Sequence, residues 1–97
     1  MLNKKDILLT LKDYKKRYAK KYLIEEIGIF GSYARGEATP KSDIDIYIKL
    51  KKSNLFTLSR IRIELEEILG IPTDLVQLRE KMNPSLKKYI NKEAISA

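Results

Sequence analysis

Apolar positions recur along the chain with two different periods, and the switches between them mark its elements. Ile7, Leu11, Tyr14, Tyr18 and Tyr22 follow one another at the spacing of a single helix face. Asn3 stands where a cap belongs, so residues 4–22 are predicted as a helix with lysines on its other faces. Ile27-Gly28-Ile29-Phe30 is a short apolar run that fits a buried strand, and it stops at Gly31-Ser32, with Gly36 soon after. Residues 43–50 alternate strictly, Ile44, Ile46, Ile48 and Leu50 on one face, Asp43, Asp45, Tyr47 and Lys49 on the other. Helical spacing returns over residues 54–69, with Leu58, Ile61, Leu65, Ile68 and Leu69 on one side. Ser53 or Asn54 can cap that helix, and Gly70 with Pro72 ends it. Thr73 to Leu78 reads as a third strand, and a last helix starts near Pro84 with Leu86, Tyr89, Ile90 and Ala94 as its stripe. The sum is a small α/β (α+β) domain over residues 1–97, a short mixed sheet of about three strands covered by helices. Three strands leave sheet edges open, where a partner can pair.

Composition then removes whole classes of chemistry. The chain contains no cysteine and no histidine. Disulfide scaffolds, thiolate zinc sites, cysteine nucleophiles, histidine triads and histidine metal sites are excluded. Catalysis must run on carboxylates, hydroxyls, Lys, Arg, backbone amides or a bound ion. No apolar run approaches the ~20 residues that cross a bilayer, and MLNKKDILLT lacks a cleavage site, so a cytoplasmic protein without membrane contact is expected.

The net charge is +7, and nearly all of the surplus lies in residues 1–22, where eight basic side chains face Asp6 and Asp13. Such a helix can attract nucleic acid or an acidic protein, or can simply be a solvated face.

Asp43 and Asp45 are two apart on a strand, so their carboxylates share one face. Adjacent carboxylates repel unless a cation or a shared proton relieves them. Mg²⁺ uses one or two carboxylates together with waters and substrate phosphates, which makes this pair a half-site for a magnesium-borne nucleotide. Asp74 opens the next strand, and if that strand lies beside 43–50 the three acids can converge on two metal ions. A solvated pair that blunts a strand edge would show the same spacing. Gly31-Ser32-Tyr33-Ala34-Arg35-Gly36 supplies a second signal. Glycines admit a phosphate close to the backbone, and Ser32 and Arg35 can hold its oxygens. The segment is neither a Walker P-loop nor GxGxxG.

Taken together, Gly31-Ser32-Tyr33-Ala34-Arg35-Gly36, six residues and Asp43-Ile44-Asp45, with Ser42 before them, read GSxARG…SDxD. This resembles the signature of the nucleotidyltransferase superfamily typified by DNA polymerase β, and the short chain looks like its minimal nucleotidyltransferase (MNT) branch. The resemblance runs from the basic leading helix to Thr73-Asp74-Leu75-Val76 and the final Ile90–Ile95. It implies a polymerase β-like fold with Gly31 and Ser32 on the triphosphate. Asp43 and Asp45 would hold Mg²⁺, Asp74 would serve as the third acid, and Arg35 and Ser42 would lie at the nucleotide. Larger relatives use added domains for tRNA, DNA or aminoglycosides, and nothing comparable is seen here.

Small MNT proteins are commonly antitoxins that transfer AMP from ATP to a tyrosine of a HEPN-domain ribonuclease toxin. The resemblance therefore implies a Mg²⁺-dependent protein adenylyltransferase with ATP as substrate and a HEPN toxin as partner. A non-catalytic antitoxin that occludes its partner, and a nucleic-acid-binding module using the basic helix, are the alternatives. Tyr14, Tyr18 and Tyr22 are expected in the core or an interface, and Tyr47, on the acid face, can line the nucleotide site.

Overall fold

The Asn3 side chain caps the first helix in the computed structural model of the protein, which describes residues 2–97. Its Oδ1 accepts from the Asp6 N–H at 2.9 Å and satisfies a donor that α1 (Lys4–Tyr22) leaves open. Leu23, in the left-handed region at φ 56°, ends α1 and turns the chain into β1 (Ile24–Phe30). The short α2 (Gly31–Arg35) follows at once, then β2 (Ile44–Leu50). Asn54 caps α3 (Leu55–Leu69) through the Phe56 and Thr57 amides, and Gly70 closes it at φ 69°. After β3 (Thr73–Gln77), Pro84 opens α4 (Pro84–Glu93), and Ile95–Ser96 form β4.

The sheet runs β3-β2-β1-β4. β1 is antiparallel to β2 and β4, while β2 and β3 are parallel. Parallel neighbours need a crossover, and α3 supplies it.

α1 and α3 pack on one face, where Ile7, Leu11, Ile61 and Leu65 meet Ile27, Ile29, Ile44, Ile46 and Ile48. Glu64 joins the two helices, accepting from the Tyr14 hydroxyl at 2.7 Å and from Tyr22 at 3.0 Å. Burial, and then that hydrogen bond, push both phenols above their ordinary value. On the other face α4 brings Ile90 onto Phe30 and Tyr47. That face is covered along part of its length, and Asp43 and Asp74 stay exposed.

Four strands form where about three are expected. β4 has only two residues, too short for alternation to show, and it fits because Gly28 has no side chain, so the Ile95 carbonyl comes in against it. β1 starts at Ile24 rather than Ile27, because a register shift between Ile24 and Glu26 interrupts its alternation. Ile68, expected on the core side of α3, is 56% exposed at the margin of the buried stripe.

Candidate active site

β2 sets the centre of the site. Asp45 lies opposite Phe30 of β1 on one side and Asp74 of β3 on the other. Asp43 precedes the first residue of the same strand. Three carboxylates are thus neighbours across adjacent strands, with Asp45 half-buried between two exposed partners. Burial first, and then the charges of Asp74 and Asp43, hold the Asp45 carboxyl above its ordinary value, while the Arg35 guanidinium pulls the other way. Among the described residues no three acidic side chains stand close enough together to hold one ion.

The turn after β1 fits against this group. Gly31 has φ 74°, and a Cβ there would run into the Asp45 carboxylate. Glycine is required twice over at this position, by the backbone and by the acid beneath it. Ser32, half-buried, gives its carbonyl to the Glu37 N–H at 2.8 Å, which closes the loop. Lys4 of α1 reaches the Ala34 carbonyl at 3.1 Å, so one lysine of the basic helix steadies α2.

Arg35 is held from two sides. Its Nε pairs with Glu37 at 3.3 Å, and its Nη1 donates to the Tyr89 hydroxyl. Tyr89 also meets Phe30 edge to face, with ring centroids 6.1 Å apart. The helical repeat over the last helix puts Tyr89 on its apolar stripe. It is 37% exposed and stands beside Arg35, at the end of the glycine turn, instead. Its spacing on α4 gives no sign of this, because only the docking of α4 across β1 brings it to Arg35.

Ser42 and Tyr47 each have hydrogen-bond partners of their own. The Ser42 hydroxyl accepts from the Thr39 N–H at 2.9 Å, within the turn that leads into Asp43. Tyr47 shares the acid face, but it is buried against Phe30 and Ile90, and its hydroxyl donates to Glu26 at 2.8 Å. It lines a groove with Glu26, Lys49 and Asn91 that contains none of the three aspartates. Burial, reinforced by Glu26, pushes the Tyr47 phenol up to about 12.

A glycine turn set on a strand-borne acid row is a framework for nucleotide phosphates, and residues 11–97 match the nucleotidyltransferase domain family. The chain belongs to that family. Among the relatives of this nucleotidyltransferase is a Methanocaldococcus jannaschii protein provisionally named a protein adenylyltransferase. It is 41% identical over 93 residues, 93% of each chain. The protein adenylyltransferase MntA of Thermococcus cleftensis is 32% identical over 98% of this chain and 96% of its own. In fold, the chain resembles a solved structure described as a minimal nucleotidyltransferase. The TM-score is 0.71 at 29% identity, covering 91% of this chain and 93% of that one. It also resembles a chain from a complex of tri-AMPylated Shewanella oneidensis HEPN toxin with MNT antitoxin. There the TM-score is 0.65, covering 92% of this chain and 70% of the other, and at 18% identity the likeness is one of fold. No helix among the described residues is long and apolar enough to cross a membrane.

Proposed function

We propose that this nucleotidyltransferase is a protein adenylyltransferase. It moves AMP from ATP to a hydroxyl, that of a tyrosine, on a partner protein, and so acts as antitoxin to a HEPN-type ribonuclease, with residues 1–97 working as one domain in the cytoplasm. The observation that carries this reading is nearly end-to-end similarity to proteins named adenylyltransferases, joined to the acid row around Asp45.

The step forms a bond from the acceptor oxygen to the α-phosphorus of ATP and breaks the bond to the pyrophosphate leaving group. The acceptor proton is lost to a carboxylate or to water. The protein's task is to set the hydroxyl in line and offset developing charge. Asp43, Asp45 and Asp74 are hard oxygen donors, and Asp45, raised first by burial and then by the charges of Asp74 and Asp43, gains from a cation that offsets those charges, so one or two of these carboxylates together with substrate phosphates fit Mg²⁺. When bound, Mg²⁺ would screen the triphosphate and lower the pKa of the attacking hydroxyl. Gly31 and Ser32 bring backbone amides and a hydroxyl to the phosphates, and Arg35 adds a positive charge at the same edge. Asp74, exposed on the outer strand, would receive the acceptor.

The test is transfer of label from α-phosphate-labelled ATP into host proteins, wild type beside Asp43→Asn/Asp45→Asn. A labelled protein band made only by wild type is expected. Partner neutralisation that survives in the double variant, with no label from either form, would replace catalysis with occlusion.

A further inference from the structure

The outer edge of the sheet lies next to the acids. β3 pairs with β2 and ends the sheet. Two hydrogen bonds fix which of its peptide groups face inward: the Ile44 N–H donates to the Pro72 carbonyl at 3.0 Å, and the Leu78 N–H to the Ile48 carbonyl at 2.8 Å. Alternate residues of a parallel strand face the same neighbour. Asp74 and Val76 therefore turn their peptide groups toward β2, and Leu75 and Gln77 turn theirs outward. The Thr73 N–H, also outward, is taken by Glu66 at 2.9 Å.

A groove of about 370 Å³ runs along this edge. Leu55 and Leu58 of α3 line it, with Met82 and Leu86 contributed by the chain around the start of α4. Leu55 is 79% exposed. An open strand edge beside apolar walls takes up an extended peptide, whose backbone pairs while alternate side chains fill pockets. A helix presented to the same groove would leave the outward N–H and C=O groups unmatched.

Register connects the groove to the chemistry. Asp74 lies across from Asp45, and both sit on the acid face. A residue on an added strand opposite Asp74 would point to that face one strand spacing away, about 4.8 Å. A tyrosine there can reach back over Asp74 toward Asp45.

We propose that the outer edge of β3 docks an extended segment of the acceptor protein as a fifth strand and so delivers its hydroxyl to the acid row. This rests on the adenylyl-transfer reading and adds the conformation in which the acceptor is recognised.

The probe is a seven-residue peptide, Thr-Val-Thr-Tyr-Thr-Val-Thr, added to the isotope-labelled full chain, with a copy N-methylated at alternate amides as its control. The Leu75 and Gln77 amides are expected to gain on the order of tenfold protection from exchange with the first peptide and none with the second. Gln77→Pro removes one outward N–H without touching the β2 ladder, and it should weaken peptide binding on the order of tenfold while ATP affinity stays unchanged. If that variant does not fold, the N-methylated peptide carries the comparison. Absence of protection at millimolar peptide overturns the proposal, even if AMP reaches whole proteins. Protection without any AMP on the peptide or on host proteins keeps the docking edge and counts against adenylyl transfer. Protection of the same amides without peptide, in a chain sedimenting as a dimer, would assign the edge to a second copy and overturn the proposal.

Discussion

Asp45 and Asp74 stand directly opposite each other where β2 and β3 run parallel. The pairing is built into the ladder, so the two backbone positions cannot separate without breaking the sheet. Burial first, and then the charges of Asp74 and Asp43, make the folded state disfavour an ionised Asp45. The folded pKa lies above the unfolded one, so the Asp45 contribution is fully present in acid, below the unfolded carboxylate value. It is lost as pH rises through the folded value. At neutral pH, Asp45→Asn removes this penalty. In EDTA the variant should melt a few degrees higher than wild type, since about 1 kcal/mol moves a domain of this size by roughly 4–8 °C. Mg²⁺ should raise the wild-type Tm and leave the variant unchanged. A variant that melts lower than wild type in EDTA would show that Asp45 is held by favourable contacts instead.

The tyrosines give the opposite end of the pH scale. Tyr47, buried and bonded to Glu26, ionises only at about 12 when folded. An unfolded tyrosine ionises near 10. The stability it contributes is complete below pH 10 and disappears between there and 12. Tyr14 and Tyr22, raised by burial and by Glu64, act in the same direction. Denaturant midpoints should therefore fall steeply above pH 10, and Tyr47→Phe should make that fall shallower. The variant's stability at pH 7 should drop by about 1–3 kcal/mol, because Glu26 loses its donor. An unchanged alkaline slope in Tyr47→Phe would show that another group controls it.

Much of the site is legible in the sequence because its geometry is local. Strict alternation over 43–50 fixes the face of Asp43 and Asp45, and Gly31 follows an apolar run directly. Asp74 needed one further fact, that β3 lies beside β2, which the pattern does not contain. What could not be read depends on where α4 docks. The same alternation that puts Tyr47 beside the acids says nothing of the Ile90 that buries it. Tyr89 and Ile90 look alike on a helical repeat, yet one enters the core and the other holds Arg35. β4 arises from a contact between Gly28 and Ile95 that no local period announces.

Tyr89 offers a direct test of that contact. Tyr89→Phe keeps the ring against Phe30 and removes the oxygen that accepts from Arg35. A net hydrogen bond of about 0.5–1.5 kcal/mol corresponds to a roughly 2–10-fold loss of ATP affinity, if the contact holds Arg35 at the phosphates. Thermal stability should barely change, since the residue is partly exposed. Titration calorimetry with ATP separates the two effects. An affinity equal to wild type would leave Arg35 aligned by Glu37 alone.

Gly31 and Gly36 form a matched pair for separating backbone strain from steric conflict. Their φ angles are 74° and 73°, so alanine at either pays for a positive φ, about 1–2 kcal/mol. Beyond that the sites differ. A Cβ at Gly36 meets nothing within 4 Å, whereas one at Gly31 strikes the Asp45 carboxylate. Gly36→Ala should therefore cost the strain alone, and Gly31→Ala should cost about 1–3 kcal/mol more, as overpacking does in a confined site. The relief available to Gly31→Ala is displacement of Asp45, the central acid of the row, so its ATP binding and AMP transfer should fall together while Gly36→Ala retains both. Urea denaturation of the two variants, read beside their ATP affinities, decides this. Equal stability losses with equal ATP affinities would mean that Asp45 has room to move aside, and that the close fit of the turn over the acids is not what the nucleotide requires.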